Sequence, residues 1–101
     1  MLNQTFQQNN HLMPPNELSW VYIFFDTGCL ELNIGLTLDL PKRFSKLDAL
    51  SKLLYYRSFS DPFDALAHKH LLDSLSKESV MHRIKKMNPN LKSLIPEIID
   101  D

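Results

Sequence analysis

A single cysteine, Cys29, stands in a chain of 101 residues. That excludes an internal disulfide framework and suits a reducing compartment. No apolar run approaches the roughly 20 residues that span a bilayer, so no membrane partner is expected. The opening MLNQTFQQNN lacks the basic start and apolar stretch of a secretory signal, and cytoplasmic localisation is the expectation. Internal repeats are missing as well. The length does not hold two domains of ordinary size, so one small domain must build its core from roughly 75 residues once frayed ends are set aside. A domain of that size buries only about 60% of its unfolded surface. Little of the 44% hydrophobic content can therefore be spare.

The formal net charge of −1 conceals a segregation. All eleven Lys and Arg residues lie between Lys42 and Lys92, beside five acids (Asp48, Asp61, Asp64, Asp73 and Glu78), so that stretch carries +6. The other acids occupy the first 39 residues and an acidic tip of Glu97, Asp100 and Asp101. A basic middle of this kind fits an anionic partner, and it also fits ordinary solvated helix faces.

Residues 1–18 are rich in Gln and Asn and pass through Met13-Pro14-Pro15, the composition of a flexible arm. WVYIFFD (Trp20–Asp26) reads as a strand buried on both faces. Thr27-Gly28 turns it into LELNIG, where Leu30, Leu32 and Ile34 alternate with polar or small residues. Asp39 can cap a short helix with Pro41 in its first turn, burying Leu40, Phe44 and Leu47 and presenting Lys42, Arg43 and Lys46. KLLYYRSF (Lys52–Phe59) is a third strand. Asp61-Pro62 starts a helix expected to bury Phe63, Leu66, Ala67, Leu71 and Leu75. Ser76 starts another, with Val80, Ile84 and Met87 inward, that ends at Asn88-Pro89. The order β-β-α-β-α-α predicts a small α+β sandwich with a three-stranded antiparallel sheet flanked by helices. Its domain spans residues 19–95, with the arm before it and the acidic tip, 96–101, after it.

Four segments then fall in a telling order: WVYI, NIGLTLDLPKRF, KLLYYRSFSDPFDAL and SKESVMHRIKKMNPNLKSL. In that order and at those separations, from about Trp20 to Leu94, the chain resembles the GIY-YIG nuclease superfamily, especially its compact single-domain bacterial members. Members cleave nucleic-acid phosphodiesters with one divalent metal held by a helix glutamate. Tyrosines, and in some members a histidine, position and deprotonate water, and an arginine stabilises the phosphate charge. By this resemblance Tyr22 matches the first family tyrosine and Arg43 the phosphate-binding arginine. A guanidinium fork suits the latter role because it binds two phosphate oxygens at once.

Three positions depart from the family. Asn33 replaces the second tyrosine, and an amide is no practical base near neutral pH. Leu47 stands where many members carry a histidine. Lys69 stands where they carry the metal-binding glutamate, and an ammonium repels a cation by several kcal/mol at about 4 Å and an effective dielectric of about 20. Asp73 lies about 6 Å further along the helix, too far to substitute without rearrangement. His68 and His70 point to different sides of their helix, so no histidine metal centre is expected; His70 borders the core and His68 is solvated on this reading. Cys29 has no partner histidine motif, and Met81 and Met87 need only packing roles.

The resemblance therefore implies a degenerate active site: cleavage lost, phosphate and nucleic-acid binding retained. Lys69 would stand in for the missing metal beside Arg43, Lys42 and Lys46. Lys77, Lys85 and Lys86 would extend the surface along a backbone, DNA rather than RNA by resemblance. No cofactor is expected. The alternatives are a divergent endonuclease using Mg or Mn through a displaced acid such as Asp73, and a protein-interaction module that binds no nucleic acid.

Overall fold

A computed structural model describes residues 18–44 and 50–99. It contains β1 (Ser19–Asp26), β2 (Glu31–Thr37), α1 (Leu40–Arg43), β3 (Ser51–Phe59), α2 (Pro62–Ser74), α3 (Lys77–Met87) and α4 (Ile95–Ile98). The fold is α+β: one antiparallel sheet in the order β2-β1-β3, with helices on both faces. No described helix is long and apolar enough to cross a membrane. Most of the expected N-terminal arm, Lys46, Leu47, and Asp100 and Asp101 of the acidic tip lie outside the described residues.

The β1–β2 hairpin forms because Asp26 folds its carboxylate back over the turn. Asp26 Oδ1 accepts from the backbone N–H of Gly28 at 2.8 Å and of Cys29 at 3.3 Å. Leu30 closes the turn with a left-handed φ of 58°, and its N–H donates to the Asp26 carbonyl. Pairing then runs from Asp26↔Glu31 to Trp20↔Thr37. On the other edge of β1 the register to β3 shifts between Ile23 and Phe24, where Leu54 is the extra residue. A bulge of this kind bends a strand and re-aims its side chains.

Alternation along β1 sorts the core into two halves. Val21 and Ile23 face Ala65 and Leu72 of α2 and Val80 and Ile84 of α3. Tyr22 faces Leu40 and Phe44 around α1 and Ile95 of α4, and Trp20 and Phe24 pack on the same side. Each fully buried aliphatic side chain contributes about 1.5–3 kcal/mol, so the half under α2 and α3 dominates.

All three expected helix starts are built as capping chemistry requires. Asp39 accepts from Lys42 N–H, Asp61 from Phe63 N–H and Ser76 from Ser79 N–H. The inward face of α2 differs from expectation. Phe63 is 79% exposed, and Leu66, Ala67 and Leu71 are exposed as well, while Ala65 and Leu72 are buried; Met87, expected inward on α3, is also exposed. Apolar and polar residues are interspersed around this helix, so hydrophobic spacing does not fix its rotation. The small Ala65 side chain permits close approach to the sheet, and that sets the phase.

Asn88 ties three elements together from a buried position. Its backbone N–H ends α3 on the Ile84 carbonyl. Its side-chain amide donates to the Leu54 carbonyl at 3.2 Å and the Lys92 carbonyl at 2.8 Å, and accepts from Lys92 N–H at 3.1 Å. Asn88→Leu should therefore cost about 2 kcal/mol or more in urea unfolding, because stranded buried groups cost about 1–3 kcal/mol each. Asn88→Asp should do no better, since a carboxylate cannot donate to either carbonyl. Wild-type stability in both variants would refute the triple tie.

Candidate anion-binding surfaces

On the α1 face, Tyr22 and Arg43 meet. Arg43 Nε–H donates to the Tyr22 hydroxyl at 3.0 Å. The guanidinium carbon lies 5.5, 5.3 and 5.0 Å from the ring centres of Tyr22, Phe24 and Phe44, within cation–π range of all three. Tyr22 can lie flat here because its β2 partner is Gly35. A Cβ at Gly35 would overlap the Tyr22 ring. Asn33 shares this face, opposite Phe24, and its amide donates to the Glu31 carbonyl at 3.3 Å.

Lys69 does not join them. It lies on α2, which packs against Val21 and Ile23, so the whole sheet separates it from Tyr22 and Arg43. Its position between Ala65 and Leu72 puts its stem against the core, and its ammonium emerges to pair with Asp73 at 2.7 Å. Lys69 therefore forms no cradle beside Arg43, contrary to the expectation from the resemblance. Asp73 sits on the same far side, so an acid there reaches Arg43 no better. Among the described residues no three His, Cys, Asp or Glu side chains gather where they could hold a metal ion.

The two histidines exchange their expected roles. His70 is exposed, whereas His68 is half-buried on the inner arc with Ala65 and Leu72. Tyr55 Oη and His68 Nε2 are 2.9 Å apart and share a hydrogen bond. The His68 ring stacks on Tyr55 and leans on Phe59, 5.3 Å between centres. Burial, and then the charges of Arg57 and Arg83, hold the imidazole below its ordinary 6.5.

Those two arginines belong to a groove of about 690 Å³ between β3, α2 and α3. Arg57 enters from β3, its guanidinium 4.9 Å from the Phe59 ring centre. Arg83, Lys86 and the His82 imidazole enter from α3, and Glu78 is the one acid among the lining residues. Ser79, His82, Arg83 and Lys86 recur at i, i+3, i+4 and i+7, so one flank of α3 faces the groove. Lys77 lies on the other flank beside Phe25, Leu32 and Met81, and Lys85 follows Met81 there by one turn. Of the six described lysines and arginines expected to bind nucleic acid, only Lys86 lines this groove, and Lys46 lies outside the described residues. Arg57, Arg83 and His82 were not foreseen. The α3 flank was readable in MHRIKK; the facing of Arg57 depends on the bulge at Leu54.

Glu97 of the acidic tip accepts from the Tyr56 hydroxyl at 3.2 Å. No family model, curated protein or solved structure matches this chain, so the GIY-YIG resemblance stands on the residues quoted above.

Gly35→Ala should destabilise by about 1–3 kcal/mol, the range for overpacking, because Tyr22 is pinned by Arg43 and cannot swing away. Adding Tyr22→Leu should recover much of that loss in a double-mutant cycle; additive effects would mean the ring does not lie over Gly35. For His68, the unfolded chain binds more protons between the folded midpoint and 6.5. Its contribution is thus complete above 6.5 and declines as pH falls through that window. NMR should find the ring titrating below its ordinary value, and His68→Phe should flatten that part of the stability–pH curve.

Proposed function

We propose that this protein binds the phosphate backbone of nucleic acid without cutting it, through Arg57 and the Arg83–Lys86 flank of α3. One observation carries the reading: two guanidinium groups and an ammonium line a single open groove with one acid among its lining residues. Cations that release counterions from phosphates supply sequence-independent affinity, and arginine forks add bidentate contacts to phosphate oxygens. DNA is favoured over RNA on the GIY-YIG resemblance alone, and the cytoplasm is the compartment where the exposed Cys29 thiol stays reduced.

Loss of cutting is supported by Lys69 at the glutamate position, by Asn33 at the second tyrosine, and by the sheet lying between residue 69 and Arg43. On this reading the Tyr22–Arg43 pair of a GIY-YIG-like ancestor has become a packing element. A protein partner is the second reading, favoured by the exposed arc of Phe63, Leu66 and Leu71 on α2.

Fluorescence anisotropy with labelled duplex and single-stranded DNA should show affinity falling steeply with salt. Arg83→Ala with Lys86→Ala should lower the slope of log K against log salt by about 1 per phosphate contact removed. Affinity that is flat with salt would refute the reading. Incubation with magnesium or manganese should leave the DNA intact; nicking that disappears in Arg43→Ala would restore the endonuclease alternative.

A further inference from the structure

The groove differs along its length. It follows α3 from Ser76 to Met87, about 16 Å at 1.5 Å per residue. Arg83 and Lys86 stand toward the Met87 end, and Glu78 stands near the Ser76 end. At that end the helix is already capped: Ser76 Oγ accepts from Ser79 N–H and bonds the Ser79 hydroxyl at 3.1 Å. Positive charge is therefore concentrated in one half, while the other offers hydroxyls, a carboxylate and the Leu75 side chain.

A strand threaded through the whole groove would carry a phosphate past Glu78, where like charges repel. A single phosphate at the Arg83 end avoids that. Two guanidinium groups and an ammonium line the groove against one carboxylate, and an internal diester brings only one negative charge to balance them. A phosphomonoester has three free oxygens and a charge of about −1.5 to −2 near pH 7. The half near Ser76 suits a nucleoside: Leu75 offers apolar contact, and Ser76, Ser79 and Glu78 offer partners for sugar hydroxyls and base amino groups. The volume of about 690 Å³ falls among small-molecule sites, which run from about 300 to 1,000 Å³.

We propose that this groove seats one nucleoside phosphomonoester, its phosphate among Arg57, Arg83 and Lys86 and its nucleoside toward Ser76. This rests on the phosphate-binding reading above and adds that the bound phosphate is a terminal one. The same chemistry occurs at a strand end and in a free mononucleotide.

The experiment measures binding of the full chain to one internally labelled oligonucleotide made with a 5′-phosphate, a 3′-phosphate or hydroxyls at both ends, with AMP and adenosine as competitors. One phosphorylated form should bind at least about tenfold tighter than the unphosphorylated form, as charge-assisted contacts require. AMP should compete and adenosine should not. Arg83→Gln should abolish the preference and Lys92→Gln should keep it, with folding checked by circular dichroism. Arg57→Gln, at an exposed strand position, serves if the first variant fails to fold. Equal, salt-sensitive binding of all three oligonucleotides overturns the terminal seat and leaves the backbone reading standing. Binding of AMP without any oligonucleotide does the reverse. No binding at all removes both.

Discussion

In a three-stranded antiparallel sheet only the middle strand is bonded along both edges, and here that strand is β1, covered by helices on both faces as well. Its side chains alternate between two cores that never meet. Val21 and Ile23 belong with α2 and α3, and Tyr22 and Phe24 with α1 and α4. The alternation decides function as strictly as packing, because a ligand on one face cannot touch a group on the other. It separates Arg43 from Lys69 more firmly than any distance along the chain suggests, and it gathers Arg57, His68 and Arg83 from three different elements.

The strands, their order along the chain and the helix starts were legible because each rests on local chemistry. WVYIFFD has no other sensible use than a doubly buried strand, and Asp39, Asp61 and Ser76 are capping residues placed just before helical spacing begins. The rotation of α2 was not legible. Its sequence offers apolar residues on every side, so Phe63, Leu66 and Leu71 compete with Ala65 and Leu72 for the sheet, and closeness of approach selects the smaller set. That one choice carried His68 inward, His70 outward, and Lys69 away from the site expected for it. The pairing of Tyr22 with Arg43 depends on the Gly35 register that lets the ring lie over β2, and the groove depends on a bulge at Leu54 and on which flank of α3 meets β3. Neither is encoded in spacing alone.

The two arginine environments show how the same side chain serves structure in one place and stays available in another. Arg43 gives its Nε–H to Tyr22 and lies against three aromatic rings, so its charge is balanced by π-faces and α1 is fastened to the sheet. Among the described residues Arg57 lies over the Phe59 ring, and the charges of Arg57 and Arg83 both oppose protonation of His68. Like charges brought this near raise the free energy of the folded state. A small domain with little apolar surface to spare has reason to disperse them. Lysines and arginines on neighbouring turns could point elsewhere at no cost to the core, as Lys77 and Lys85 do. Where local choices conflict with stability in a chain otherwise consistent from caps to core, the conflict marks the part of the surface whose energy is completed by something else. In this protein that part is the groove, and the complement proposed for it is an anion.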